Sequence, residues 1–235
     1  MSALSGREIR ARLLEKGIQK RLVVSPLLIP EEQCRDDQAS IDVRLGFEFA
    51  LVSPSSSGHV DEFESPESEQ IELHHLYRKI YVRLGESLVI HPHQFILGTT
   101  LEYIRLPVDL MAYVVGRSSW GRLGLIVATA LGVHPGFSGA LTLELRNLGE
   151  TPLRIYPGQV VAQLFFHDVA SPAGVGGGIG QYSGSVSVVP KRLSTEKTHA
   201  KLKALREQSW AEERRCLSRR ERPRQSSLTR RLSSR

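Results

Sequence analysis

Apolar and polar residues alternate along most of this chain, and the period of the alternation changes near its two ends. Ile9 and Leu13 recur at i, i+4 behind Ser5-Gly6-Arg7-Glu8, an S-x-x-E capping-box pattern, and Gly17 stops the run. This predicts an amphipathic helix over residues 6–16. From Ala39 the period is two. Ile41, Val43 and Leu45 share one face, while Ser40, Asp42 and Arg44 share the other. Similar short segments recur near 47–52, 79–84, 87–90, 95–103, 110–115, 141–146 and 159–167. Many short strands separated by Gly and Pro predict a mainly β fold, either a sandwich, a jelly roll or a barrel. No tandem repeat of fixed period runs through the chain.

Three stretches do not fit the alternation. Residues 53–70 are polar and acidic, and predict a long surface loop. Residues 171–190, SPAGVGGGIGQYSGSVSVVP, are rich in Gly, Ser and small apolar residues, which predicts a mobile arm that packs little core. Beyond 191 the chain is rich in Lys, Arg and Ser. Residues 195–218, with Leu202, Leu205 and Trp210, predict a helix, and the last fifteen residues predict disorder.

Charge sharpens this division. The 235-residue chain carries a formal net charge of +6, and residues 191–235 hold 15 of its 31 Lys+Arg but only 5 of its 25 Asp+Glu. The tail is therefore +10 and residues 1–190 are −4. The overall basicity is not a property of the fold, so the body is not read as a nucleic-acid-binding surface. The tail could bind nucleic acid or an acidic partner, or it could be a solvated extension. Cys34 and Cys216 form no disulfide framework and no CxxC zinc pattern. The N-terminus lacks the apolar stretch of a secretory signal, and no apolar run reaches the ~20 residues of a membrane span. A soluble, cytoplasmic protein is expected.

Candidate chemistry concentrates in Gly116-Arg117-Ser118-Ser119-Trp120-Gly121-Arg122-Leu123-Gly124-Leu125, directly after a strand. Glycines let backbone approach a ligand, hydroxyls and N–H groups donate to anionic oxygens, and arginines add bidentate charge. The stretch suits a phosphate, or it is a Gly-rich turn with exposed charges. It has neither Walker A nor Rossmann spacing. His134-Pro135-Gly136 forms a turn, followed by Leu141–Asn147, in which Leu141, Leu143 and Leu145 face one way and Thr142, Glu144 and Arg146 the other. Glu144 is then either a solvated partner of Arg146 or a general acid/base in a protected pocket.

GRSSWGRLGL, HPGFSG, LTLELRN and PGQVVAQLFF, in this order, resemble the dCTP deaminase branch of the dCTP deaminase/dUTPase superfamily. QASIDVRLG (Gln38–Gly46) and HPHQFILGTTLEYIRLP (His91–Pro107) extend the resemblance over roughly residues 5–190. It implies a distorted β-barrel or jelly roll of the dUTPase-like type, assembled as a homotrimer with active sites between subunits. Residues 1–170 would be the deaminase core, 171–190 an arm closing the site, and 191–235 a basic appendage.

The implied reaction is zinc-independent hydrolysis of dCTP to dUTP and ammonia. Zinc deaminases use H-x-E and P-C-x-x-C, and the chain has neither. By position Glu144 matches the family's proton shuttle, and Ser118 and Arg122 match residues that place the water and the base. Arg117, Ser118, Ser119, Trp120, Gly121 and Arg122 match the triphosphate loop. Thr142 and Leu143 adjoin the pyrimidine, and His134, Tyr182 and Ser185 match further substrate-contacting positions. Mg²⁺ would accompany the triphosphate, held by phosphate oxygens and water rather than by a protein cage. The resemblance also implies dTTP as a feedback regulator.

Three features depart from the family pattern. The 126–134 loop is one residue shorter, His134 stands where aspartate is usual, and Gln181 and Ser185 replace the arm's lysine and glutamine. A dUTP diphosphatase, a bifunctional enzyme and an inactive trimeric nucleotide-binding module are the competing readings.

Overall fold

The computed structural model describes residues 2–52, 76–129, 132–170, 183–189 and 197–220. The expected acidic loop at 53–70, most of the arm and the chain end lie outside the described residues. The chain divides into two compact units, a body and a second unit that holds the C-terminal helix.

Among the described residues the body has eleven strands. They are β1 (Val23–Ser25), β2 (Ser40–Val52), β3 (Tyr77–Tyr81), β4 (Leu88–Ile90), β5 (Phe95–Arg105), β6 (Leu110–Gly116), β7 (Leu125–Val127), β8 (Gly132–Val133), β9 (Ser138–Asn147), β10 (Leu153–Ile155) and β11 (Val160–Asp168). Nine of them join in the order β7-β9-β5-β2-β11-β6-β8, with β1 on β5 and β3 on β2, while β4 and β10 pair separately. All the pairings are antiparallel.

The strand β2 holds this arrangement together. Its first half, Ser40–Arg44, pairs with β11, and its second half pairs with β5 and β3. The sequence pattern breaks this segment in two at Gly46, whereas the chain runs through as one bent strand of 13 residues. Gly46 permits the bend, because a Cβ there would sit 2.5 Å from Thr99 Oγ1 and 3.1 Å from the Thr100 carbonyl oxygen.

The main core lies where the pattern puts it, on Ile41, Val43, Leu45, Leu143, Leu145, Leu164 and Phe166. The strands β1, β7, β8 and β10 were not expected. Each has only two or three residues, too few for an alternation to register. The N-terminal helix spans Gly6–Leu13, shorter than 6–16, and its capping box forms, with Ser5 N–H donating to Glu8 Oε2 at 2.7 Å and Glu8 N–H to Ser5 Oγ at 3.4 Å. Ile9 is fully buried, and Leu4 N–H donates to the Phe166 carbonyl at 2.9 Å, so this end is fastened to β11.

The second face of β2 is polar in sequence yet buried in part. Arg44 and Glu102 are 6% and 0% exposed, and Arg44 Nε donates to Glu102 Oε1 at 2.8 Å. The Arg44 backbone N–H reaches Glu102 Oε2 at 2.9 Å, and Gln33 Nε2 donates to Glu102 Oε1 at 3.2 Å. Gln33 in turn accepts from Leu28 N–H at 2.9 Å and from Arg44. This network ties the segment 26–33 to β2 and β5.

Removing one partner of a buried pair leaves an uncompensated charge. Glu102→Ala is expected to destabilise the body by about 3–5 kcal/mol in urea denaturation, whereas Arg44→Met combined with Glu102→Leu should cost less than the single change. A double variant at least as unstable as Glu102→Ala would contradict this account.

Candidate active site

The Gly-rich segment is held at both ends and exposed at its crest. Arg117 N–H donates to the Val161 carbonyl at 2.9 Å, and a single helical turn follows at Ser118–Gly121. Trp120 is half-buried against the core, and its indole Nε1–H donates to the Val160 carbonyl at 2.8 Å. At the far end Gly124 has φ +92°, and a Cβ there would lie 2.6 Å from Gly149 N. Only glycine meets both demands. Ser118, Ser119, Gly121 and Arg122 are exposed between these anchors. The matched residues therefore divide, since Trp120 is a packing residue while its neighbours face outward.

Arg117 is fixed by a carboxylate that the sequence did not single out. Its Nη1 lies 2.7 Å from both Oδ1 and Oδ2 of Asp42, and Gln163 Nε2 donates to Asp42 Oδ1 at 3.0 Å. Asp42 and Gln163 are direct cross-strand partners on β2 and β11. The guanidinium is thus rooted in the sheet, with Nη1 engaged and the rest of its fork open to a ligand.

The strand β7 carries the chain from this loop alongside β9, pairing Leu125 with Asn147 and Val127 with Leu145. Just beyond it, Ala128 N–H donates to the Glu144 carbonyl at 2.7 Å, and Glu144 N–H donates to Thr129 Oγ1 at 2.9 Å. The backbone of Glu144 is therefore held on both sides.

Its side chain lies on the outer face of β9 with those of Ala140 and Thr142, opposite Leu97 on β5. Burial pushes the Glu144 carboxyl above the ordinary carboxylate range. Among the described residues nothing donates a hydrogen bond to this carboxylate, and Arg146 does not pair with it. Leu143 is fully buried in the core, so any contact it makes with a ligand runs through its backbone.

The arm is anchored where it is described. Ala140 N–H donates to the Ser185 carbonyl at 2.8 Å, Gly184 N–H donates to the Ser138 carbonyl, and Val189 N–H donates to Thr142 Oγ1 at 3.4 Å. Val188 is 1% exposed, in a small cluster with Ala50 and Leu97 on the outer face. A mobile arm was expected for 171–190. Residues 183–189 instead lie along β9, because one apolar side chain finds a site between two strands.

Gly139 makes this possible. Its φ is +146°, and a Cβ there would lie 2.7 Å from the Ser185 carbonyl oxygen. The Ser185 hydroxyl is turned to its own segment, donating to the Ser187 carbonyl at 3.0 Å. Tyr182 lies outside the described residues. His134 is exposed in the turn before β9, and its carbonyl accepts from Phe137 N–H at 3.2 Å.

Within one chain, then, β9 gathers Thr142, Glu144 and the arm. Among the described residues no hydrogen bond or ion pair joins Glu144 to Ser118 or Arg122. Sequence reasoning missed Asp42, Thr129, Gly139 and Gln163. Of these, Asp42 and Gln163 sit inside the quoted runs QASIDVRLG and PGQVVAQLFF, and their polar character within apolar strands was the available signal.

A family model described as dCTP deaminase-like matches residues 3–169. The chain belongs to the dCTP deaminase-like family. Curated relatives agree with this. The chain is 40% identical over 171 residues to a protein named "dCTP deaminase, dUMP-forming" from Dictyoglomus thermophilum, covering 72% of this chain and 82% of that one. It is also 40% identical over 179 residues to a "dCTP deaminase" from Natronomonas pharaonis, with the same coverage. Among solved structures, a 2'-deoxycytidine 5'-triphosphate deaminase from Agrobacterium tumefaciens superposes with a TM-score of 0.51 at 22% identity, over 70% of this chain. This chain spans about half the length of that protein, at 46%, and the likeness establishes the fold.

Gly139→Ala tests the anchoring of the arm. The substitution places a methyl group against the Ser185 carbonyl in a backbone region unfavourable to alanine. Limited proteolysis should then cleave within 183–189 faster than in the parent protein, with a loss of stability on the order of 1–3 kcal/mol. Unchanged protection would refute the docking.

Proposed function

We propose that this protein hydrolyses the exocyclic amine of dCTP, releasing ammonia and dUTP without zinc. The observation that carries the proposal is Glu144, a partly buried carboxylate with raised proton affinity and no described partner, on a strand whose backbone is clamped. Such a group can take a proton from water and return it to the leaving amine, because its proton affinity is nearer neutrality than that of a solvated carboxylate. Arg117, set by Asp42 and Gln163, and Arg122 at the exposed crest would receive the triphosphate. Ser118 and Arg122 would place the water and the base.

Glu144 makes no described contact with Ser118 or Arg122 of its own chain. A site completed by neighbouring copies, as in a homotrimer, reconciles the two halves. Mg²⁺ would enter on the triphosphate. Among the described residues no group of three or more His, Cys, Asp or Glu side chains is placed to hold a metal. The same reading assigns dTTP as a feedback regulator.

A second reading is a bifunctional enzyme that also releases pyrophosphate, leaving dUMP. It is favoured by the names of the relatives, several of which are dUMP-forming. It is disfavoured by His134, since the dUTPase branch places a water-activating aspartate in this neighbourhood. A purely dUTP-hydrolysing enzyme and an inactive nucleotide-binding module leave the state of Glu144 without a use.

Incubation with dCTP should release ammonia and dUTP in equal amounts, and Glu144→Gln should lower kcat by about 10²–10⁴-fold. Turnover unchanged in that variant would sink the proposal, and dUMP with pyrophosphate as the product would establish the bifunctional reading. Because the base form of Glu144 must accept the first proton, kcat/KM should rise with pH through a midpoint above the ordinary carboxylate range. Chelation by EDTA should suppress turnover at dilute dCTP, and added Mg²⁺ should restore it.

A further inference from the structure

The strands β7 and β9 pair along one edge, and their pairing does not end as an antiparallel ladder does. Leu125, Ile126 and Val127 lie opposite Asn147, Arg146 and Leu145. Continued by one residue, this register sets Ala128 opposite Glu144, at a position where an antiparallel pair exchanges two backbone hydrogen bonds. One of the two forms. Ala128 N–H donates to the Glu144 carbonyl at 2.7 Å, whereas Glu144 N–H donates to Thr129 Oγ1 at 2.9 Å. A threonine hydroxyl thus stands in for the Ala128 carbonyl, and the ladder ends there.

This exchange acts on the Glu144 side chain in two ways. The backbone of Glu144 is tied to two consecutive residues, so the Cα–Cβ direction that aims its carboxyl from the outer face is fixed with it. The amide is also occupied. A carboxylate that accepts N–H bonds is favoured in its charged form, and the N–H nearest along the chain is its own. That N–H goes to Thr129, and the positions paired with Glu144 hold Leu97 on β5 and Ala128 on the other side. Arg146, two positions along the same face of β9, is exposed and makes no ion pair with Glu144 among the described residues. Burial therefore acts on the carboxyl unopposed and pushes it up.

We infer that Thr129 is the positioning residue of the Glu144 carboxyl, its hydroxyl closing the β7–β9 ladder in place of a backbone carbonyl and so fixing where that carboxyl is presented. The use of the carboxyl rests on the deamination reading, whereas its placement is a property of the fold. Thr129 acts through Glu144 and not on the substrate. Serine supplies the same acceptor, and valine keeps the branched shape without it.

The test compares Thr129→Val and Thr129→Ala, which both remove the acceptor, with Thr129→Ser, which retains it. Carboxyl ¹³C NMR titration of the full chain, with the Glu144 resonance assigned by its loss in Glu144→Gln, reads the effect without substrate. The midpoint should fall in the valine and alanine variants, because the freed N–H turns to the carboxylate, and should keep the parent value in the serine variant. With dCTP, the valine and alanine variants should lose on the order of tenfold in kcat at a KM within about twofold of the parent, and the rising limb of kcat/KM should move to lower pH. The serine variant should recover most of the rate. A Glu144 midpoint unchanged in both the valine and alanine variants, or equally displaced in the serine variant, overturns the inference. If the parent protein releases no ammonia while the midpoint still follows the hydroxyl, the deamination reading falls and the placement by Thr129 stands.

Discussion

Asp42 and Arg44 lie on the same side of one strand, and both are largely withdrawn from solvent. The strand β2 belongs to both halves of the sheet, so its polar side is covered by the neighbours that its apolar side does not reach. A charge withdrawn from water needs a partner. Arg44 finds Glu102 and Gln33, which fixes the N-terminal segment to β5. Asp42 finds Arg117 and Gln163, which fixes the Gly-rich loop to β11. Two residues of the same phase in one strand thus secure the outer packing of the body and root the arginine best placed for a phosphate.

The candidate site depends on the same two-sidedness in another strand. In β9, Leu141, Leu143 and Leu145 fill the core, and the intervening residues form an outer face that is only partly open. Leu97 and the Val188 cluster keep that face apolar near Thr142 and Glu144. The environment that buries Val188 belongs to the same surface that raises the proton affinity of Glu144. The arm packs on this same face of β9, where Gly139 admits the Ser185 carbonyl.

The positive charge of the body and that of the tail are separate. The body is −4 in sequence, and its relevant positive charge is local, in Arg117 and Arg122 at one loop. The +10 of the tail is spread along a helix and its flanks. The first arrangement suits a small ligand read by position. The overall charge of +6 describes neither.

Much of this was legible in the residues themselves. The period-two alternation located β2, β5, β6, β9 and β11, because an inward-facing apolar residue at every second position leaves a mark over five or more residues. The capping box located the first helix, and Leu202 to Trp210 amid charge located the last. Glu144 stood out as the acid on the polar side of a leucine strand.

Tertiary structure decided the rest. The strands β1, β7, β8 and β10, of two or three residues each, left no alternation in the sequence and exist only through their partners. The polar side of β2 was legible as polar, but its burial was not. Burial depends on Glu102, Gln33, Arg117 and Gln163 arriving from up to 121 positions away. The arm's composition spoke for mobility, and Val188 overrode it because a pocket had formed on two distant strands. Sequence alone determined which residue types face which way along each long strand. Only the fold decided which of those faces lost their water, and that loss raises the proton affinity of Glu144 and sets Asp42 against Arg117.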